Sequence, residues 1–162
     1  MAPSKAKSST TRRLRVPFTL AIVSTSDNLD AICAQMQPDS WAADNEMSSY
    51  QPEHMRRFLE RGGLFVTVMD EEKIAGAALC YELPHPDGDD TLYVHELDTH
   101  PAYRRQGVGT MLMEEVFRIA KERGLAEVWL ATETDNDAAN GLYRKLQPWE
   151  VEQSVTYTYK VE

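Results

Sequence analysis

The residues most able to do chemistry lie at positions 104–109, which read RRQGVG and lead directly into an amphipathic pattern. The first N–H groups of a helix lack intrahelical partners and carry partial positive charge. Gly107 and Gly109 remove side chains that would block a phosphate from those amides, and Arg104 and Arg105 can add charge-assisted hydrogen bonds. The spacing predicts a pyrophosphate site, against the plainer alternative of a loop that only turns into a helix.

Two familiar phosphate-binding loops do not fit this motif. The chain has no G-x-x-x-x-G-K-[ST] loop. A dinucleotide-binding fingerprint would need a third glycine where the sequence has Leu112, and it would need a parallel βαβ unit around it. The strand predicted before this helix belongs to an antiparallel meander, so the motif is of another kind.

The elements that position the motif alternate between period-two and helical patterns. Helices are predicted at 26–36, 52–59, 108–123 and 136–146, and strands at 17–23, 64–70, 73–83, 91–99, 126–132, 149–153 and 154–161. Residues 37–50 are polar and predict a loop or a broken helix. The order predicts an α/β fold (α+β) with a mixed, mostly antiparallel sheet flanked by helices. Residues 16–162 are expected to form one domain after a disordered tail at 1–15.

Charge is distributed unevenly along the chain. The first 15 residues hold five of the 17 basic residues and no acid, so the rest carries 12 Lys and Arg against 26 Asp and Glu, a balance of −14. Such a body repels nucleic acid and anionic lipid and attracts cationic ligands. Solubility alone, or a salt-adapted source, explains the balance equally well, so the charge predicts a cationic partner without naming it.

Cysteine content and hydropathy predict a cytoplasmic protein. Cys33 and Cys80 have no metal-ligand spacing and are expected to be free thiols, as in a reducing compartment. No run approaches the roughly 18 apolar residues that a membrane helix needs. The Arg12-Arg13 pair resembles a twin-arginine export signal, but the apolar run after it is short and no small-residue cleavage site follows. We therefore expect no export and no metal.

Several segments resemble one enzyme superfamily. Residues 104–109 match [QR]-x-x-G-x-[GA], the acetyl-CoA signature of the Gcn5-related N-acetyltransferases, and NDAANGLYRKL at 136–146 is similar to a second motif of that family. YQPEHMRRFLERGGLFVTV, AGAALCYELP and LYVHELDTHPAYRRQGVGTML are most similar to the type I aminoglycoside 3-N-acetyltransferases (gentamicin acetyltransferases). Where the family usually has K-L-G-F, this chain reads Lys145-Leu146-Gln147-Pro148-Trp149, a departure that affects the last strands and the acceptor rim.

The resemblance implies acetyl-CoA (coenzyme A) as cofactor and the acetyl-CoA N-acyltransferase fold, with the sheet splayed between strands 4 and 5. In that fold the backbone at the end of strand 4 pairs with the pantetheine arm, and the N–H of Leu97 faces the thioester oxygen. The residues that the resemblance assigns to the cofactor are Leu97, Asp98, Thr99, Arg104, Arg105, Gln106, Gly107, Val108, Gly109, Thr110, Asn136 and Ala139.

The same resemblance implies two catalytic side chains. Glu96 is the expected general base, through a water, and Tyr143 the general acid that protonates the leaving thiolate. The plainer alternatives are that Glu96 only faces solvent and that Tyr143 only contributes to packing. His95 is the rival base because its free pKa lies near neutrality, but a regular strand would direct it to the face opposite Glu96. Cys80 as an acetylated nucleophile is disfavoured, since it lies mid-strand like a core cysteine.

The expected acceptor is a small cationic amine, held by carboxylates. Glu82, Glu96, Glu133 and Asp135 are the leading substrate-binding candidates, with Asp137 and the loop residues Asp44 and Glu46 behind them; each alone is equally explained as a solvated side chain. An aminoglycoside N-acetyltransferase, an N-acetyltransferase of another amine (a polyamine, a small metabolite or a protein N-terminus) and a non-catalytic acetyl-CoA-binding domain remain as alternatives. A homodimer is expected from the superfamily. No nucleic-acid or membrane partner is expected.

Overall fold

The computed structural model describes residues 18–41 and 49–161. The basic tail predicted at 1–15 lies outside these residues, as do Asp44 and Glu46 of the acidic loop. Within the described residues, both cysteines of the sequence are buried and free, which confirms the prediction of free thiols.

A five-stranded sheet forms the centre of the described chain. Its strands lie in sequence order: β1 (Thr19–Val23), β2 (Gly63–Asp70), β3 (Lys73–Leu83), β4 (Thr91–Thr99) and β5 (Glu127–Leu130). The first four pair antiparallel, as the predicted meander requires, and β5 pairs parallel to β4. The mixed, mostly antiparallel sheet flanked by helices is therefore confirmed.

Helices cover both faces of the sheet, and their ends carry the predicted signals. They are α1 (Leu29–Gln35), α2 (Pro38–Trp41), α3 (Pro52–Glu60), α4 (Val108–Glu122) and α5 (Asp137–Lys145), with a 3-10 turn at Pro101–Tyr103. Asn28 caps α1 by accepting from the N–H of Ala31, as the Ser-Asp-Asn cluster predicts. The predicted broken helix after α1 contains α2.

Two apolar clusters hold the layers together, one on each face of the sheet. The α4 face is formed by Leu64, Val66, Val68, Leu92, Val94, Val108, Leu112, Met113, Val116 and Ile119. The α1 and α3 face is formed by Val23, Leu29, Cys33, Met36, Trp41, Met55, Phe65, Ile74 and Ala77. Alternation along the strands sends neighbouring side chains to opposite clusters, and this fixes which face each polar residue of β4 occupies.

The two C-terminal strands predicted at 149–153 and 154–161 are not formed. Residues 150–161 have no strand or helix assignment, and their apolar side chains are exposed, from 69% at Val151 to 96% at Val161. A strand needs a hydrogen-bonded neighbour, and the segment has none in its own chain among the described residues. The alternating pattern of SVTYTYKV is therefore a strand pattern without a sheet.

The turn before this segment keeps the conformation usual for glycine although the residue is glutamine. Gln147 has φ +57° directly after Leu146, the C-cap of α5, in the left-handed region where helices often end. Pro148 follows and fixes the next φ. No helix in the described ranges is both long and apolar enough to cross a membrane.

Candidate active site

The candidate site begins at the N-terminus of α4, where backbone conformation is controlled by one glycine. Gly107 is the N-cap residue, with φ +87°, and its carbonyl accepts from the N–H of Met111. The N–H groups of Val108, Gly109 and Thr110 therefore occupy the first helical positions, which have no intrahelical acceptors. The Val108 side chain is buried in the α4 core, so this residue can offer only its backbone to a ligand.

The two glycines of the motif have different physical roles. A Cβ on Gly107 would meet no atom within 4 Å, so its requirement for glycine is the positive φ. A Cβ on Gly109 would lie 2.9 Å from Cδ2 of Leu142, so this glycine permits close approach of α5. The expectation that both glycines only clear space for a phosphate is thus too simple: one sets the turn and the other brings α5 against α4.

Positive charge surrounds this helix end. Arg104 and Arg105 are exposed, and Arg105 has φ +62°, which makes the turn a strained one. Gln106 donates from Nε2 to the carbonyl of Ala102 at 3.1 Å, and this bond ties the loop to the preceding turn. Burial and then the Arg104 charge lower the pKa of His100. The helix amides and two guanidinium groups together suit a diphosphate.

A gap in the sheet opens beside the same helix end. Pairing of β4 with β5 stops at Val94 and Leu130, whereas β4 continues to Thr99. Since the N–H of His100 donates to the carbonyl of Ala75 on β3, alternation directs the N–H groups of Leu97 and Thr99 away from β3, toward the gap. The residues present therefore fit a chain-like group that hydrogen-bonds to the open edge of β4, as the pantetheine arm of coenzyme A requires.

A β-bulge changes the expected positions of His95 and Glu96. Leu79 pairs with Glu96 and Cys80 with Val94, so His95 is an extra residue on β4. The expectation that a regular strand separates His95 from Glu96 onto opposite faces is wrong for this reason. His95 Nε2 lies 3.9 Å from Glu96 Oε1, and the side chains are 48% and 44% exposed. Both candidate bases therefore lie on the α1 and α3 face.

Tyr50 is a site residue that sequence reasoning missed. Its hydroxyl donates to Glu96 Oε2 at 2.9 Å, and its ring lies 6.0 Å from that of Phe65. Burial and then the Glu96 carboxylate raise the pKa of Tyr50 above its usual range, so the hydroxyl remains a donor at neutral pH. The sequence signal for Tyr50 was its aromatic ring two positions before the predicted second helix. Nothing in the sequence indicated that this residue contacts β4.

Asp98 lies two residues after Glu96 on β4, so both carboxylates are on one face of the strand. Burial and then the Glu96 charge raise the pKa of Asp98, while Arg104 lowers it. Burial and then the Asp98 charge raise the pKa of Tyr143, which packs against the α4 core. Tyr143 therefore keeps its proton at neutral pH.

A cleft of ≈190 Å³ lies on the Tyr50 side of Glu96. Tyr50 lines it and also hydrogen-bonds Glu96, while Tyr81 lines it and lies 5.8 Å, ring to ring, from His95. Its lining among the described residues is mainly aromatic and apolar and includes no carboxylate: Ser49, Tyr50, Gln51, His54, Met55, Phe58, Leu79 and Tyr81.

The other predicted acidic residues lie apart from this cluster. Glu82 pairs with Arg123 at 2.9 Å, near the C-terminus of α4. Its neighbour Tyr81 faces α3, where it contacts Phe58, so alternation places Glu82 on the sheet face opposite Glu96. The structure therefore does not bring Glu82 to the Glu96 site.

Glu133 and Asp135 are exposed on the turn that leads into α5. Asn136 caps that helix by accepting at Oδ1 from the N–H of Ala139, and its own carbonyl accepts from Asn140 Nδ2. The Asn136 side-chain oxygen thus has a structural partner already, and Ala139 lies partly buried one turn before Tyr143. The resemblance assigned both residues to the cofactor, and that role remains a prediction.

Cys80 has no features of a nucleophile. It is fully buried in the α4 core, and burial raises the pKa of its thiol to about 12. The thiolate, which is the reactive form, is therefore scarce at neutral pH. Direct attack of an amine on the acetyl donor remains the chemistry that this site supports.

Comparison with known families accounts for the motif and its surroundings. Residues 32–147 match the family described as Acetyltransferase (GNAT) family. N-alpha-acetyltransferase 30 of Schizosaccharomyces pombe is 33% identical over 78 residues, 48% of this chain and 52% of that protein. N-alpha-acetyltransferase 50 of Danio rerio is 27% identical over 70% of this chain and 68% of its own length. The chain thus spans only about half of the first relative.

Solved structures extend the likeness to most of the chain. An aminoglycoside acetyltransferase, meta-AAC0020 from an uncultured soil metagenomic sample, superposes with a TM-score of 0.78 in its trehalose complex and 0.77 in its sisomicin complex. The alignments cover 90% of this chain and 97% of that protein, at 23% and 21% identity. At this level of identity the likeness shows a shared fold.

Proposed function

Since the chain belongs to the acetyltransferase (GNAT) family and is therefore an acetyl-CoA-dependent N-acetyltransferase, we propose that its acceptor is a cationic aminoglycoside. The observation that carries the proposal is that Glu96 and Asp98 lie on one face of β4, in the part of the strand beyond its pairing with β5. Two carboxylates on one face attract a substrate that carries several ammonium groups. The sequence resemblance to type I enzymes supports the 3-N amine as the site of acetylation.

Family members use acetyl-CoA as the acetyl donor, which supplies an activated thioester when bound. In the proposed arrangement Val108, Gly109 and Thr110 offer backbone N–H groups to its diphosphate, and Arg104 and Arg105 add charge from solvent. The open edge of β4 would hold the pantetheine arm, and the Leu97 N–H would stabilise the negative charge that develops on the carbonyl oxygen. By the sequence resemblance, Asn136 and Ala139 would contribute to the same site.

Proton handling falls to two groups in this proposal. Glu96 holds the ammonium of the acceptor and removes its proton, directly or through a water. Tyr143 donates its hydroxyl proton to the departing thiolate, and its raised pKa keeps that proton in place until the thiolate forms. Tyr50 orients the Glu96 carboxylate through its hydrogen bond. The His95 ring lies close enough to share the base role.

A second candidate acceptor is the N-terminal amine of a peptide with an apolar first side chain. The cleft beside Glu96 favours it, because Tyr50, Met55, Phe58, Leu79 and Tyr81 give it an aromatic and apolar lining. The two relatives described above are N-alpha-acetyltransferases by name, which agrees with such an acceptor. A non-catalytic acetyl-CoA-binding domain is disfavoured, because Glu96 and Tyr143 are both in place.

A thiol-release assay separates the two acceptors. Purified chain with acetyl-CoA is offered sisomicin, gentamicin, spermidine and a short peptide that begins with Met-Leu. The proposal predicts the highest kcat/KM with an aminoglycoside. Turnover of the peptide with none of any aminoglycoside would establish the second candidate instead. Phe58→Ala adds a control, since it reshapes the cleft and should lower peptide turnover more than aminoglycoside turnover.

A further inference from the structure

His100 lies between the two backbone parts of the candidate site. It directly follows β4 and precedes the 3-10 turn at Pro101–Tyr103, which leads into the loop 104–107 before α4. Its backbone N–H donates to the carbonyl of Ala75 on β3 at 2.9 Å. Its side chain is the N-cap of the turn, because Nδ1 accepts from the N–H of Ala102 at 3.2 Å. One residue therefore ties the sheet to the turn that starts the loop.

The His100 ring is held by two aromatic neighbours. The buried Trp41 at the end of α2 lies 5.4 Å away, ring to ring, with the planes at 87°, and the Tyr103 ring lies 5.7 Å away. Burial and then the Arg104 charge lower the pKa of His100, so the ring is neutral at neutral pH. Only the neutral ring can accept from Ala102, because the imidazolium carries a proton on both nitrogens.

The loop after this turn has a backbone conformation that needs support from its surroundings. Arg105 has φ +62° and Gly107 has φ +87°. A positive φ is costly for a residue with a Cβ, so it persists only where the flanking structure fixes it. The start of α4 flanks the loop on one side, and the turn capped by His100 flanks it on the other. Gln106 Nε2 also donates to the carbonyl of Ala102 at 3.1 Å, which joins the loop directly to the capped turn.

We propose that His100 is a positioning residue for acetyl-CoA: its side chain caps the Pro101–Tyr103 turn and thereby holds the loop 104–107 in the conformation that offers the first amides of α4 to the diphosphate. The inference rests on the proposed place of the diphosphate at the N-terminus of α4. Without the cap, the N–H of Ala102 loses its acceptor and the loop gains further conformations. Binding must then order the loop, so affinity for the cofactor falls while the chemistry of bound acetyl-CoA is unchanged.

The chain contains a matched turn away from the candidate site. His85 is followed by Pro86, as His100 is followed by Pro101. His85 Nδ1 accepts from the N–H of Asp87, two positions on, at 3.4 Å. This turn lies in the loop between β3 and β4, where the His85 side chain is 61% exposed. Substitution of His85 therefore measures the loss of a histidine cap without any effect on the loop 104–107.

Calorimetric titration of the full chain with coenzyme A tests the role of His100. His100→Ala is expected to raise the Kd about fivefold or more, in line with the loss of a side-chain cap. His85→Ala should leave the Kd unchanged. Thermal unfolding by circular dichroism establishes that each variant is folded at the temperature of the titration.

Two further substitutions separate the cap from the ring. His100→Asn keeps an acceptor that reaches the N–H two residues on, so its Kd should return to within about twofold of the wild type. His100→Phe keeps a ring beside Trp41 but has no acceptor, so it should bind as weakly as His100→Ala.

Three results would each overturn the proposal: an unchanged Kd in His100→Ala, an equal rise in His85→Ala, or no recovery in His100→Asn. Coenzyme A that binds the wild type without shifting the amide signals of residues 107–110 would instead overturn the proposed place of the diphosphate. The failure of this inference and the failure of the proposed site are therefore distinguishable.

Discussion

The two sides of the candidate site are built in different ways. On the proposed cofactor side, the candidate ligand-binding groups are backbone amides, held by Gly107 at the N-cap of α4 and by the open edge of β4. On the proposed acceptor side, the candidate groups are the side chains of Tyr50, His95 and Glu96, which come from separate segments and meet at a bulge. Backbone-built sites impose a contiguous sequence motif, whereas sites built from distant side chains impose none.

Removal of Glu96, the proposed base, is the strongest test of this difference between the cofactor side and the acceptor side. Glu96→Gln keeps the size of the side chain and its hydrogen bond to Tyr50, but removes the charge and the proton acceptor. We expect kcat to fall about 10²–10⁴-fold, with the Kd for acetyl-CoA unchanged, because the base acts only on the acceptor. Initial rates and calorimetric titration measure the two quantities. Glu114→Gln, on the exposed side of α4, is the matched control, and an equal loss there would remove Glu96 from its role.

Tyr143→Phe tests the second proton-handling group. The ring still packs against the α4 core, but the thiolate leaves without a proton donor, so kcat should fall about 10²-fold. Since burial and Asp98 raise the pKa of Tyr143, the wild-type rate should show no alkaline loss from this group below its ordinary pKa of about 10. A normal kcat in the variant would return Tyr143 to a packing role.

Gly107→Val addresses the cofactor side alone. A β-branched residue at φ +87° carries strain of about 1–2 kcal/mol or distorts the turn, which should weaken acetyl-CoA binding roughly tenfold or more. Gly88→Val is a matched control, because Gly88 has φ +90° and equally open surroundings but lies in the loop between β3 and β4. Equal Kd changes in the two variants would mean that strain, and not the site, is being measured.

Tyr50→Phe is the smallest of the expected effects. It removes one hydrogen bond to Glu96 and leaves the ring against Phe65. We expect a loss of about fivefold in kcat, which corresponds to ~1 kcal/mol, with the Kd for acetyl-CoA unchanged. Initial rates and calorimetric titration measure the two quantities, and an unchanged kcat would leave Tyr50 with a packing role only.

The same comparison explains what the sequence could predict. The meander, the cap at Asn28 and the α4 motif were readable because each depends on residues near one another in the chain. The bulge at His95 and the contact between Tyr50 and Glu96 were not, since the bulge depends on the register of β3 against β4 and the contact joins residues 46 positions apart. Glu82 was counted among the substrate-binding candidates because its ion pair with Arg123 could not be predicted. The two residues lie 41 positions apart in the chain, on different elements.

The C-terminal strands were predicted from a correct local pattern, but the neighbouring strand that they need is missing among the described residues. Alternation in SVTYTYKV describes what the segment can do, but strand formation also needs a hydrogen-bonded neighbour, and residues 150–161 have none among the described residues. A period of two therefore indicates a strand without providing the sheet edge that the strand needs.

Amide chemical shifts of the isotopically labelled chain, recorded with and without coenzyme A, test the central claim most directly. The largest changes are expected at the N–H groups of Leu97, Thr99, Gly107, Val108, Gly109 and Thr110, because these face the diphosphate and the pantetheine arm. Shifts confined to other surfaces, with these six amides unmoved at saturation, would contradict the assignment of the cofactor to the α4 N-terminus and the open edge of β4.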